Sequence, residues 1–367
     1  MRAAAPAGSP DSNAMWEATA ALPEQVAQGA RIAASVTGLP SGDGITSIVA
    51  LGMGGSGIGN DVLAAIAGPH LAVPIVVNKD YELPAFVGPS TLVFACSFSG
   101  GTEETLAAAG AAIERGARLV AVTGGGSLGA LASDAGAPVI EVPKDIPHPR
   151  AAIGAMSAAP LIVLERLGLL PGGAAMVAEA VTQLSARRDE IGLDPVASVS
   201  GNIARRIGRT IPIIYGGGSI GRVAAMRWKC QVNENPKSPA FSAAQPELCH
   251  NEVTGWGQMG DITRQLFTVV DLRHDHEHPQ VSRRFTLVDE IMDEIVASVI
   301  EVRAAGRGPL AQLFDLVLIG DYVVLMLAAR EGVDPGPIPV LVDLKEALAA
   351  RPGVASPAAA PSAAPGS

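Results

Sequence analysis

The chain reads as an α/β protein of two tandem, doubly wound domains with mainly parallel sheets, and three observations lead there. Short apolar runs without polar alternation recur along the sequence, as expected of strands buried on both faces. Each run stops at glycines or a turn, and most lead into a segment of helical periodicity, the grammar of parallel strands joined by right-handed crossovers. The grammar then starts over: LGMGGSGIGNDV at residues 51–62 is echoed by YGGGSIGRVA at residues 215–224.

Taken in order, ITSIVAL (45–51) is a strand halted by Gly52, and the glycine-rich stretch after it turns into a helix ending at Gly68. Strands follow at 73–78 (VPIVVN) and 91–97 (TLVFACS), then a helix over 102–116, a strand at 118–123, a helix over 128–136 and a strand at 138–143. Ala-rich helices over 151–167 and 173–191 precede a GLDP connector at 192–195. The second set opens with TIPIIY (210–215) and continues through a helix over 222–235, a strand within 265–272, a helix over 287–304 and a closing helix over 313–331. The expected domains are 15–172 and 195–352, joined by the helix and connector of 173–194. Tails 1–14 and 353–367 are Ala/Pro/Ser/Gly tracts with too little apolar surface to offset chain entropy, and are expected to be disordered.

Composition narrows the function. The 367 residues suffice for two domains. A net charge of −10 without a Lys/Arg block argues against a nucleic-acid partner, and no charge-free apolar run reaches the roughly 18 residues of a membrane span. Cys96, Cys230 and Cys249 are odd in number and lack CxxC spacing, and no basic segment leads into an apolar stretch at the start, so a cytoplasmic protein is expected. With aromatics at 4%, the core must come from Ala, Val, Ile and Leu.

Gly52, Gly54 and Gly57 satisfy GxGxxG, as do Gly216, Gly218 and Gly221. A dinucleotide site with Asp80 on the ribose is one reading, but the hydroxyls of Ser56 and Ser219 in the turns and the missing acid after the second turn count against it. A stronger signal is Ser97-Phe98-Ser99-Gly100-Gly101-Thr102, at a strand end and a helix start. Ser97, Ser99 and Thr102 with the bare N–H groups of Gly100 and Gly101 make a cup for a phosphate monoester. No Walker lysine is present, which favours a terminal phosphate on a sugar over a nucleoside triphosphate. His274, His276 and His278 alternate with acids in a polar run before a proline, which describes an exposed loop more than a metal site.

SFSGGTEETL resembles the phosphate-binding signature of the sugar isomerase (SIS) domain. The tandem arrangement resembles the bifunctional phosphoglucose/phosphomannose isomerases, from about Ala50 to Leu348. GMGGSGIGND, HPRAAIG, NENPKSPAF, PELCHNEVTGW, and GVDPGP followed by DLKEAL carry the likeness by their order and spacing. It implies two flavodoxin-like SIS domains and an aldose–ketose isomerase that interconverts glucose 6-phosphate and/or mannose 6-phosphate with fructose 6-phosphate. It also implies a homodimer needing no metal or other cofactor.

By position, the resemblance puts Ser97, Ser99 and Thr102 on the phosphate and Gly54, Gly55 and Ser56 along the sugar. Glu234 would be the base, Arg150 the stabiliser of developing charge, and His250 the ring-opening group reaching in from the partner subunit. Lys345 would assist from the C-terminal helix. The residue types fit the chemistry, because moving a proton between C1 and C2 takes one carboxylate and a cation beside the oxygens. Three positions depart from the usual pattern: Gly101 stands for Asn, His148 for Pro and Gly336 for a threonine near the sugar. A non-catalytic sugar-phosphate sensor is the alternative reading, since it would need the cup but not Glu234, His250 and Arg150.

Overall fold

The computed structural model describes residues 5–6, 8–191 and 197–350; the GLDP connector and the expected C-terminal tail lie outside them. After α1 (Met15–Ala20) and α2 (Leu22–Ser35) come β1 (Ser47–Leu51), α3 (Gly54–Ala67), β2 (Ile75–Asn78), β3 (Thr91–Ser97), α4 (Glu103–Glu114), β4 (Arg118–Thr123), α5 (Gly126–Asp134) and β5 (Val139–Glu141). Then follow α6 (Ile153–Arg166), α7 (Gly173–Ile191), α8 (Val199–Ile207), β6 (Ile211–Gly217), α9 (Gly218–Glu234), β7 (Phe241–Gln245) and α10 (Gly260–Leu266). The chain ends with β8 (Phe267–Arg273), α11 (Pro279–Met292), β9 (Ser298–Arg303), α12 (Pro309–Arg330) and α13 (Pro339–Ala350).

The strands form two sheets, ordered β2-β1-β3-β4-β5 and β7-β6-β8-β9, and every pairing is parallel. The first is the flavodoxin-like order and the second repeats its first four places. Alternate side chains of the first sheet feed two cores. Val49, Val93 and Ala121 meet α4 and α5 on one face. Ile48, Phe94 and Val122 on the other join one continuous core with α6, α12 and the inner face of the second sheet, Ile214, Val270 and Ile300. α12 is long and apolar enough to cross a membrane by length and composition, yet it is buried inside the protein. Its two acids are paired: Asp315 accepts from Arg187 and Gln183, and Asp321 from Arg227 and Gln231. A buried carboxylate is tolerated only with such donors.

Two expectations are corrected and one strand is added. Residues 287–304 are not one helix: α11 stops at Met292, and Ser298–Arg303, half of whose residues are β-branched (Val299, Ile300 and Val302), pairs with β8 as an edge strand. Residues 8–14 are ordered rather than disordered, because Asp11 caps α1, accepting the Met15 N–H at 2.7 Å, while Met15 and Trp16 are buried. β7, whose residues FSAAQ carry little apolar signal, completes the second sheet.

Asp271 on β8 is fully buried beside Asp289 on α11, and neither of its oxygens meets a donor. Burial first, then Asp289 and Glu301, push the Asp271 carboxyl well above its ordinary value, against the pull of Arg273. The folded protein therefore keeps a proton that the unfolded chain releases, and stability falls as pH rises from the ordinary aspartate range to the raised value. Asp271→Asn supplies a permanent donor of the same shape. Urea titrations are expected to find it about 1 kcal/mol more stable than the parent at pH 8 and nearly equal at pH 4. An unchanged or lower stability at pH 8 would mean that the pair holds no proton.

Candidate active site

Ligands of a doubly wound sheet settle at the carboxyl ends of the strands, where strand order reverses. In the first sheet that point lies between β1 and β3, whose outgoing loops are the glycine turn at 52–57 and the SFSGGT string. Hydroxyls tie the two loops together. Ser56 Oγ accepts the Phe98 N–H at 3.0 Å, Ser97 Oγ accepts the Gly100 N–H at 3.1 Å, and Ser97 Oγ lies 2.9 Å from Thr102 Oγ1. From behind, Leu128 N–H bonds the Gly100 carbonyl at 2.8 Å. Gly55 lacks a side chain because a Cβ there would meet the Pro149 carbonyl oxygen at 2.5 Å, and this close approach brings the 148–150 segment against the turn.

A cavity of about 380 Å³ opens over these loops. Gly54, Gly55, Ser56, Ser99 and Thr102 line its floor, His148 and Arg150 one side, Glu234 at the end of α9 another, and Ile338, Leu341, Val342 and Lys345 the wall made by α13 and its approach. Its size suits a small polar ligand.

Arg150 is almost fully buried. Its Nε donates to Asn235 Oδ1 at 3.0 Å and its Nη2 to the carbonyls of Pro335 and Gly336 at 2.6 and 2.7 Å, which leaves Nη1 facing Glu234 Oε2 at 3.9 Å. Burial lowers the Arg150 value and the Glu234 carboxylate opposes that shift. Lys237 Nζ donates to the Glu234 carbonyl at 2.5 Å, fixing the last turn of α9. His148 is pushed below its ordinary value by burial and by Arg150 and Lys237, so its imidazole is neutral near pH 7.

Of the residues singled out from sequence, Gly54, Gly55, Ser56, Ser99, Thr102, Arg150, Glu234 and Lys345 share this cavity. Ser97 lies behind it, buried, where it braces the loop. His250 is exposed on the short turn Glu247–His250 and does not line the cavity within one chain. Asp80 is exposed, accepts the Tyr81 N–H and lies outside the cavity.

The histidine run is corrected in part. His276 and His278 are exposed, but His274 is buried, its Nε2 donating to the Gly217 carbonyl at 2.9 Å and its Nδ1 accepting the His276 N–H. It closes the second glycine turn with its own ring. Among the described residues no three of His, Cys, Asp and Glu gather as a metal site. Sequence reasoning missed His148, Phe98 and Glu104 as lining residues and Asn235 as the Arg150 anchor. The second Asn of NENP was a signal for the last. Nothing in the sequence pointed to the carbonyls of Pro335 and Gly336.

The fold and cavity define a protein of two flavodoxin-like α/β domains with a polar cavity at the switch point of its first sheet, and comparison with known proteins narrows this. Residues 197–348 match the family model described as the bacterial phospho-glucose isomerase C-terminal SIS domain. The chain is 35% identical over 339 residues to the bifunctional phosphoglucose/phosphomannose isomerase of Caldicellulosiruptor bescii, covering 91% of this chain and 99% of that one. It is 34% identical over 302 residues to the protein of the same name from Aquifex aeolicus, covering 82% and 90%. The tagatose-6-phosphate ketose/aldose isomerase of Escherichia coli shares the fold, with a TM-score of 0.64 at 16% identity over 90% of this chain and 98% of that one. The chain belongs to the bifunctional phosphoglucose/phosphomannose isomerase family.

The hydroxyl network separates two serines of the cup. Ser97→Ala removes one of the two acceptors of the buried Gly100 N–H together with the partner of Thr102 Oγ1, and should cost about 1 kcal/mol of stability. Ser99→Ala, at the cavity surface, should change stability by less than about 0.5 kcal/mol. Urea titration of both variants checks this, and equal losses would refute the division of roles.

Proposed function

We propose that the protein is an aldose–ketose isomerase of hexose 6-phosphates, interconverting fructose 6-phosphate with glucose 6-phosphate, mannose 6-phosphate or both. One observation carries the reading: a carboxylate, Glu234, and a cation, Arg150, face each other in the same cavity as the hydroxyl cup of Ser99 and Thr102. The names of the relatives agree with it.

In this reading the cup and the N-terminus of α4 hold the phosphate, which places the other end of the open-chain sugar near Glu234. The Glu234 carboxylate takes the proton from C2 of the aldose, the C1 oxygen gains negative charge as the enediol forms and takes up the proton that the C2 hydroxyl gives up, and Glu234 returns its proton to C1, leaving the carbonyl at C2. Arg150 Nη1, free of the three bonds that anchor the rest of its guanidinium, meets the charge on the oxygens. Lys345 approaches from α13 to assist ring opening. His250 serves the neighbouring subunit's site, consistent with its exposure and its distance from the cavity of its own chain, so the working unit is a homodimer. The three cysteines are free, in keeping with a cytoplasmic enzyme.

The test is conversion of fructose 6-phosphate by chelator-treated protein, with glucose 6-phosphate and mannose 6-phosphate measured separately. Glu234→Gln should lower kcat by about 10³-fold or more while binding fructose 6-phosphate within a few-fold of the parent. A folded parent that binds fructose 6-phosphate without turning it over would make the protein a sensor instead. Mixing inactive Glu234→Gln and His250→Ala chains should restore about one quarter of parental activity, because half the dimers are hybrids with one intact site. No recovery on mixing would end the role assigned to His250.

A further inference from the structure

The N-terminal segment reaches the active site from outside. Asp11 caps α1 through the Met15 and Trp16 N–H groups, Ala14 takes the left-handed conformation (φ 51°) that a non-glycine residue adopts only under strain, and Trp16 is buried with its ring 6.1 Å from that of Tyr322. So anchored, the residues before α1 lie on the loop that leads into α13. The Ser12 N–H donates to the Asp334 carboxylate at 3.2 Å, and Asp334 Oδ1 also accepts the Gly336 N–H at 2.9 Å. Asn13 covers Gly336 so closely that a Cβ at 336 would stand 2.3 Å from Asn13 Oδ1 and 2.7 Å from its Cβ. The carbonyls of Pro335 and Gly336 are the ones that hold Arg150 Nη2.

We propose that Asn13 is a positioning residue for the isomerisation. By filling the space above Gly336 it fixes where the two carbonyls stand, and through them the direction in which Arg150 Nη1 points into the cavity. The glycine at 336 is the counterpart of this contact. Its φ is not left-handed, so the backbone does not require glycine there; the side chain of Asn13 does. Asn13 itself lies outside the cavity lining. A positioning residue of this kind acts on the transition state more than on binding, because the phosphate cup is built from other loops.

The inference rests on the role given to Arg150 above, and its test separates the two. Four proteins are compared: the parent, Asn13→Gly, Gly336→Ala and the double variant. Asn13→Gly is expected to lower kcat about tenfold with KM for fructose 6-phosphate within about threefold. Gly336→Ala should lose at least as much, and the double variant should be no worse than Asn13→Gly alone, since the collision needs both side chains. Affinity for 5-phosphoarabinonate, whose carboxylate stands where the enediol charge would develop, should fall about tenfold in Asn13→Gly while that for fructose 6-phosphate changes little. This calorimetric comparison needs no turnover, so it judges Asn13 even if the parent proves not to be an isomerase. Parental kcat and parental affinity for the carboxylate ligand in Asn13→Gly would overturn the proposal. So would a Gly336→Ala defect of equal size with and without Asn13, or a loss confined to thermal stability.

Discussion

The active site is organised by the burial of one guanidinium. Arg150 sits at 4% exposure, where a charge without partners would be too costly to keep. Its partners come from two places in the chain: Glu234 and Asn235 at the end of α9, and the carbonyls of residues 335 and 336. Satisfying one side chain therefore draws the first half of the chain onto two segments of the second. The glycine turn is held to the same point by the approach of Gly55 to the Pro149 carbonyl. Disturbing any of these segments reaches the cavity through Arg150.

The two sheets share an order and have opposite fates at their carboxyl ends. Over the first, the loop after β3 bonds mostly within itself and meets the glycine turn through Ser56, leaving Ser99 and Thr102 at a cavity surface. Over the second, the corresponding turn at 216–221 is filled from within. His274 bonds the Gly217 carbonyl, and Arg273, bonded to Glu277, Glu301 and Ser282, stacks over Phe285. A cluster with its hydrogen bonds already made has little to offer a ligand. The architecture thus occurs twice and the first sheet leaves its hydroxyl loop open to a cavity, while the second provides α9, with Glu234 at its end, and the chain beyond it the loop that holds Arg150.

Much of this was legible in the sequence because it rests on local signals. Apolar runs such as SIVAL and TLVFACS are strands since both faces are buried, and the glycines and hydroxyls of SFSGGT mark the loop that lines the cavity. What escaped depends on distant partners. The split of residues 287–304 into α11 and β9 is decided by pairing with β8, and the order of residues 8–14 by docking on Asp334 and Gly336. His274 reads as exposed within its polar run, yet the glycine turn 57 residues earlier buries it. Ser97 and Ser99 look alike in the string, and only the path of the loop turns one inward.

The 3.9 Å between Arg150 Nη1 and Glu234 Oε2 bears directly on the chemistry. A bidentate pair would occupy both carboxylate oxygens and spend the cation on a bond it already has. Here Nε of Arg150 is bound to the Asn235 side chain and Nη2 to the carbonyls of Pro335 and Gly336, which holds the guanidinium against turning to close the gap. Lys237, on the Glu234 carbonyl, restrains the other side. Base and cation are kept apart by the fold, each with one side free toward the cavity. In the proposed isomerisation this arrangement would let the carboxylate reach carbon while the cation meets oxygen.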